Sequence, residues 1–254
     1  MHFPFRGECV SPEVEPMITH DGSFEGFFTA IILAHERQED IVDPEEGMFG
    51  FEMVKADPLL VEAWFAEVRE RYGYETVGDF MALFLSEKEG MARLALHYYG
   101  KFVRYGSRVR AQLADPVVLS VMKIRRAYFF EVHRFQGLVR FRELSQGWLY
   151  GPLEPDHHIL PYLWKHFSRR LPHERWILHD TRRDVAVCYD QQPYWMEGFL
   201  LEGEESDHYT EKEREMQRLW QSFYTHIVIP ERKNTRLQRQ KMPKKYWKYL
   251  IEKK

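Results

Sequence analysis

The sequence predicts an α+β fold: a helical N-terminal half, a small antiparallel β-β-α-β-β module, and basic C-terminal helices. Three observations predict it. Between Phe24 and Gln136, apolar residues recur at three- and four-residue spacing behind capping residues. From Gly137 the pattern shortens to alternation in brief runs bounded by turn residues. No strand–helix–strand alternation of the kind that builds a parallel sheet is legible. The 254 residues therefore read as a mainly helical region, 1–136, and a sheet module with C-terminal helices, 137–254; one continuous domain of this size is equally plausible.

Each element has a local reason. Glu15 to His20 reads as a short strand, and Asp21-Gly22-Ser23 as a turn that caps a helix starting near Phe24. Gln38 to Phe51 is acidic and carries Gly and Pro, so it reads as a loop. Asp57-Pro58 supplies an N-cap and a proline at the first helical position, and Gly73 closes that helix. Thr76–Ser86 and Glu87 to about Val109 give two more helices. Asp115-Pro116 opens another, which Gly137 should stop after Gln136.

Leu138–Leu144 and Trp148–Leu153 flank Ser145-Gln146-Gly147 as a hairpin. Pro161–Leu171 is a helix, and Trp176–His179 with Val185–Tyr189 forms a second hairpin. Thr210-x-x-Glu213 is a capping box for a helix to about Ile227. Asn234–Lys241 and Pro243–Ile251 form a basic helical tail.

The net charge of −3 hides a strong segregation. Residues 231–254 hold ten Lys or Arg against two Glu, and residues 101–145 hold ten against three acids. The first sixty residues compensate, with thirteen acids against three bases. Aromatic residues are interleaved with the cations, among them Tyr128, Phe130, Phe135, Tyr246 and Trp247. Charge of one sign gathered with rings points to a polyanion whose phosphates and bases can both be met, so DNA is the expected partner.

Candidate contacts follow from spacing. On the helix after Pro116, Val117, Val118, Val121, Ile124, Tyr128 and Val132 form a buried stripe, leaving Lys123, Arg126, Phe130, His133 and Arg134 on the other side. Those cations fit phosphate contacts, and they fit a solvated helix face as well. Arg140 and Arg142, two apart on a strand, project from one face and suit either a bound phosphate or ion pairs with Glu143, Glu154 or Asp156. Arg169 and Arg170 end a helix, where they either complement its dipole or contact DNA. In the tail, Arg239, Lys244 and Lys245 face outward while Trp247 and Ile251 anchor the segment.

Chemistry-bearing motifs are sparse. His157, His158, His166, His173 and His179 match no zinc spacing, so no metal is expected, and no nucleotide or phosphate loop implies a cofactor. Asp190–Tyr194 lacks the residue order of a uracil-glycosylase water-activating loop. Glu131 and His133 are the acid–base candidates for an enzymatic alternative, although residues two apart do not share a helix face. Cys9 and Cys188 build no disulfide framework, no apolar run spans a bilayer, and no secretory leader is legible; a reducing cytoplasm without membrane contact is expected.

Four stretches carry a resemblance. Asp21-Gly22-Ser23-Phe24-Glu25-Gly26-Phe27, then Glu131-Val132-His133-Arg134-Phe135-Gln136-Gly137-Leu138-Val139-Arg140-Phe141-Arg142-Glu143-Leu144, then Leu160-Pro161 through His166-Phe167-Ser168-Arg169-Arg170, and Met242-Pro243-Lys244-Lys245-Tyr246-Trp247-Lys248 are similar to an uncharacterised bacterial family labelled probable DNA metabolism protein. Members of that family are typically encoded beside a radical-SAM protein thought to modify or repair DNA, and some are fused to a uracil-DNA-glycosylase-like domain. The resemblance implies a DNA-linked role and a radical-SAM partner, and supplies no catalytic residues. The expected function is a DNA-binding accessory protein in repair or modification. An enzyme using Glu131 and His133, and an adaptor whose tail docks the partner enzyme, are the alternatives.

Overall fold

In the computed structural model, which describes residues 17–44, 51–227, 229 and 234–253, the chain divides into two compact units, Met1–Arg125 and Arg126–Lys254. The first is organised around the Asp21-Gly22-Ser23 turn. Strand β1 (Met17–Thr19) enters it and helix α1 (Phe24–Arg37) leaves it. Glu15 and Pro16, at the start of the expected strand, lie outside the described residues. Ser23 caps the helix by accepting from the Gly26 amide at 2.9 Å. The Asp21 carboxylate in turn accepts from the Ser23 amide and hydroxyl at 2.9 and 2.6 Å. That places it so close that a Cβ on Gly26 would collide with Asp21 Oδ1. A side chain at position 26 would have to displace the Asp21 carboxylate from this cap.

Short strands β2 (Asp40–Ile41) and β3 (Glu52–Met53) flank β1, both parallel to it. The stretch expected as a loop thus begins with a strand; residues 45–50 of it lie outside the described residues. Helix α2 (Pro58–Tyr72) starts and ends as its residues dictate, with Asp57 accepting from the Leu60 amide at 3.0 Å and Gly73 closing it at positive φ. Helices α3 (Tyr74–Leu85) and α4 (Met91–Tyr105), followed by a 3₁₀ turn (Gly106–Ala111), complete the layer around α1. Phe28, Trp64, Phe80, Tyr98 and Phe102 fill its core.

One carboxylate sits inside that core. Asp79 is fully buried, bonded by the Tyr98 hydroxyl and Arg110 Nε at 2.8 Å each, with Arg125 Nε 2.8 Å from its other oxygen. Burial pushes its pKa up to about 6 against the pull of the Tyr98 hydroxyl and the Arg125 charge. Two guanidiniums, Arg110 and Arg125, ring it.

The division between units falls inside helix α5 (Pro116–Leu138). The second unit then builds a five-stranded sheet in simple order from β4 (Arg142–Glu143), β5 (Leu149–Leu153), β6 (Trp176–Asp180), β7 (Val185–Asp190) and β8 (Gln192–Glu197). Helix α6 (Leu160–Arg170) lies between β5 and β6 in sequence. The α+β class holds, with three departures from the sequence reading in this second unit.

β5 and β6 are parallel. The segment between them carries a helix and is long enough for a crossover, a direction that alternation alone does not encode. Gly137 does not stop α5, because it stays out of the left-handed conformation that a helix-ending glycine adopts. The strand expected over Leu138–Leu144 shrinks to Arg142–Glu143. Finally, β8 is a strand that the sequence reading does not contain; it lies at the sheet edge, where Pro193 is tolerated.

Helix α7 (Glu211–His226) has the Thr210 cap, whose hydroxyl accepts from the Glu213 amide at 3.0 Å. The Glu213 carboxylate accepts from the Glu143 amide at 3.1 Å, tying α7 to β4. Helix α8 (Thr235–Lys241) and two 3₁₀ turns, Lys244–Tyr249 and Ile251–Lys253, end the described chain.

Candidate nucleic-acid interface

Helix α5 presents the two faces its periodicity predicts. Val118, Val121, Tyr128 and Val132 are buried, and Lys123, Arg126, Phe130 and His133 are exposed. Lys123 belongs to the stretch of α5 in the first unit; the others lie in the second. Phe130 is 47% exposed, and the Arg134 guanidinium lies over its ring at 4.2 Å. Arg134 also donates to the Gln240 carbonyl at 3.1 Å, at the end of α8. One arginine therefore links the outer face of α5 to the basic tail.

The tail is docked, with Ile251 buried as expected and Tyr246 and Leu250 taking the inward place expected of Trp247. Tyr246, Leu250 and Ile251 are buried, and Tyr246 meets Phe135 edge to face with ring centroids 4.8 Å apart. Trp247 is half-buried, donating to the Met242 carbonyl at 2.9 Å. Lys245 pairs with Asp156, and Lys248 with Glu154 at 2.7 Å. The Glu154 carboxylate and the Tyr249 hydroxyl hold the Lys248 ammonium above its usual range. Lys244 stays exposed, 6.0 Å from the Trp247 ring, and Arg239 is exposed on α8.

Arg140 and Arg142 do not form a phosphate fork. Arg142 is fully buried, pairing with Glu205 and donating to the Tyr249 carbonyl at 2.7 Å. Arg140, which lies outside β4, makes a two-pronged pair with Glu252 at 2.7 and 3.2 Å. Both are ion-paired, but with Glu205 and Glu252, remote in sequence and brought in by the C-terminal segments. Arg169 and Arg170 are exposed at the end of α6. Among the described residues, Arg126, Arg134, Arg169, Arg170, Arg239 and Lys244 have no carboxylate partner.

Glu131 and His133 are not assembled as an acid–base pair. Glu131 is 3% exposed, and its oxygens accept from the Asp156 amide at 3.0 Å, the His157 amide at 2.9 Å and the Tyr246 hydroxyl at 2.5 Å. His133 stands on the exposed face. The Tyr246 phenol is pushed up by burial and by the carboxylate it serves. His166 is half-buried, its pKa lowered by burial and by Arg170. Among the described residues, no group of three His, Cys, Asp or Glu side chains is placed to hold a metal.

A second buried polar network has no signal in the sequence. Tyr150, opposite Arg142 across β4–β5, shares a 2.7 Å hydrogen bond with His179 Nδ1, and Tyr209 donates to Glu205 at 2.5 Å. His179 Nε2 is buried with no hydrogen-bond partner among the described residues. Burial holds the His179 pKa below its ordinary value of 6.5, although Asp184 and Glu205 pull upward. The unfolded chain therefore takes up a proton as pH falls through about 6.5 while the folded chain does not, and stability falls in that direction. The His179 contribution to the unfolding free energy in urea should decline between pH 7.5 and 5.5, by up to about 1.4 kcal/mol per pH unit. His179→Gln should flatten the slope; an unchanged slope would exclude His179 as its source.

With this geometry in view, the chain can be placed. A domain of unknown function, DUF4130, matches residues 89–252. The chain belongs to that family. The DUF4130 match spans α5, the whole five-stranded sheet and the docked tail, so the surface joined by Arg134 lies within it. No curated protein and no solved structure matches the chain.

Proposed function

We propose that this DUF4130 protein is a DNA-binding accessory factor in DNA repair or modification, working beside a radical-SAM enzyme. The observation that carries the DNA reading is the Arg134 link. It brings the exposed face of α5, with Arg126, Phe130 and His133, next to the tail that carries Arg239 and Lys244. Cations without carboxylate partners beside an exposed ring suit phosphate contact together with stacking on an unpaired base. The radical-SAM partner rests on the family resemblance of the motifs. An enzymatic reading through Glu131 draws no support from the geometry, since that carboxylate is enclosed and its oxygens are occupied.

The test is substitution of the outward cations. Arg126→Ala with Arg239→Ala should weaken DNA binding and lower the steepness of its salt dependence by nearly one unit for each phosphate no longer engaged. Arg140→Ala, which breaks an internal pair, should leave that steepness unchanged. Equal effects from the two sets would remove the assignment of this surface.

A further inference from the structure

Helix α5 carries one large ring that the core does not use. Phe130 is half exposed, while Tyr128, Val132 and Phe135 beside it in the chain are buried. Its neighbours on the helix surface, three and four residues away, are Arg126, Ala127, His133 and Arg134. Glu131, the one acid on α5, is buried and bonded, so no carboxylate of this helix faces the ring.

The two faces of the ring are not equivalent. The Arg134 guanidinium lies over one of them, 4.2 Å from the centroid. It is held there, donating to the Gln240 carbonyl at 3.1 Å with its Nε buried. No second ring or cation lies against Phe130 among the described residues, and Ala127, one turn earlier, brings only a methyl group. The exposure of the ring therefore falls on its other face and its edge.

That asymmetry decides what the ring can take. A side chain wedged between the base pairs of a duplex meets a base on each of its faces. Phe130 offers two faces only if Arg134 gives up the Gln240 carbonyl. A single unpaired base needs one face, and cations beside it then meet the flanking phosphates.

We propose that this interface takes single-stranded DNA, with Phe130 as its specificity-determining residue. One unpaired base stacks on the face away from Arg134, while Arg126, Arg239 and Lys244 engage phosphates on either side of it. The inference rests on the DNA reading above and adds to it the class of strand and the residue that selects it.

The test is fluorescence anisotropy of the full chain at low salt with three labelled probes of equal length. These are a single strand of mixed sequence, its duplex, and a strand of abasic sugar-phosphates. Phosphate contact alone favours the duplex, whose charge is denser, so preference for the single strand reports the ring. The wild type should bind the single strand more tightly than the other two. Phe130→Ala should weaken that binding by about tenfold, the loss of one base–ring stack, and change binding to the duplex and the abasic strand by less than about twofold. Phe130→Leu, which keeps an apolar side chain without a π face, should behave as Phe130→Ala does, and Phe130→Trp should keep the wild-type affinity. Salt slopes should not change in any of the three variants, because no charge is removed.

A single strand bound no better than its abasic counterpart would overturn the proposal. Losses that are equal on single strand and duplex, or absent from both, would overturn it too. In those cases a steep salt slope leaves the DNA reading standing, whereas a wild type that binds none of the three probes removes both.

Discussion

Arg142→Ala is expected to destabilise the second unit by about 3 kcal/mol, the cost of losing a fully buried side chain with its ion pair and its hydrogen bond to a carbonyl. The guanidinium is fully buried between β4 and the C-terminal segments, and it joins three of them. Its own strand supplies the side chain, the 3₁₀ turn before α7 supplies Glu205, and the tail supplies the Tyr249 carbonyl. Removing it leaves the half-buried Glu205 carboxylate with the Tyr209 hydroxyl and solvent. Urea unfolding followed by tryptophan fluorescence reads the change. In a double-mutant cycle, Glu205→Gln should cost far less in the Arg142→Ala background than in the wild type, because the two side chains share one interaction. A loss below about 1 kcal/mol for Arg142→Ala, the size of an exposed ion pair, would contradict the burial described.

Glu131→Ala is the second large effect, expected at roughly 3 kcal/mol, since hydrogen bonds to a charged group contribute about 1.5–3 kcal/mol each and the freed donors are only partly rehydrated. The carboxylate orders the turn at Asp156-His157 through two amides and pins the tail through the Tyr246 hydroxyl. Tyr246→Phe removes one of the three bonds and should cost about 1–2 kcal/mol. Limited proteolysis adds a local readout, because in both variants the tail should be cut sooner than the sheet. Full stability of Glu131→Ala would mean that the carboxylate is free for another task, and the enzymatic alternative would regain its footing.

These two residues show where a sequence stops being informative. Glu131 and Arg142 stand in the motif that carries the family resemblance, and their types alone fit an acid and a phosphate clamp. What decides their role is contact with Tyr246, Glu205 and Tyr249, which lie more than sixty residues away. Local features are legible for local reasons. Ser23, Asp57 and Thr210 each cap a helix through an amide three residues on, a geometry written in adjacent positions. The two sides of α5 are legible because helical periodicity repeats within one element.

Strand direction is not legible, since β5 and β6 look the same whether parallel or antiparallel. The buried Asp79 hub is hidden as well. An aspartate beside Phe80 in an apolar helix is the available signal, but its partners Tyr98, Arg110 and Arg125 come from other elements. The segregated charge is legible as a count and only incompletely as a surface. Lys245, Lys248, Arg140 and Arg142 are taken up by internal carboxylates, while Arg126, Arg134, Arg239 and Lys244 are not.

That division makes the central claim measurable. Fluorescence anisotropy of the full chain with single-stranded and duplex DNA, across about 50–300 mM salt, reads the number of phosphates engaged from the log–log slope. A surface built from Arg126, Arg134, Arg239 and Lys244 predicts sub-micromolar binding at the low end and a slope of about −3 to −4. No binding at the lowest salt, or binding with a flat slope, would contradict it and assign the exposed cations to a protein partner.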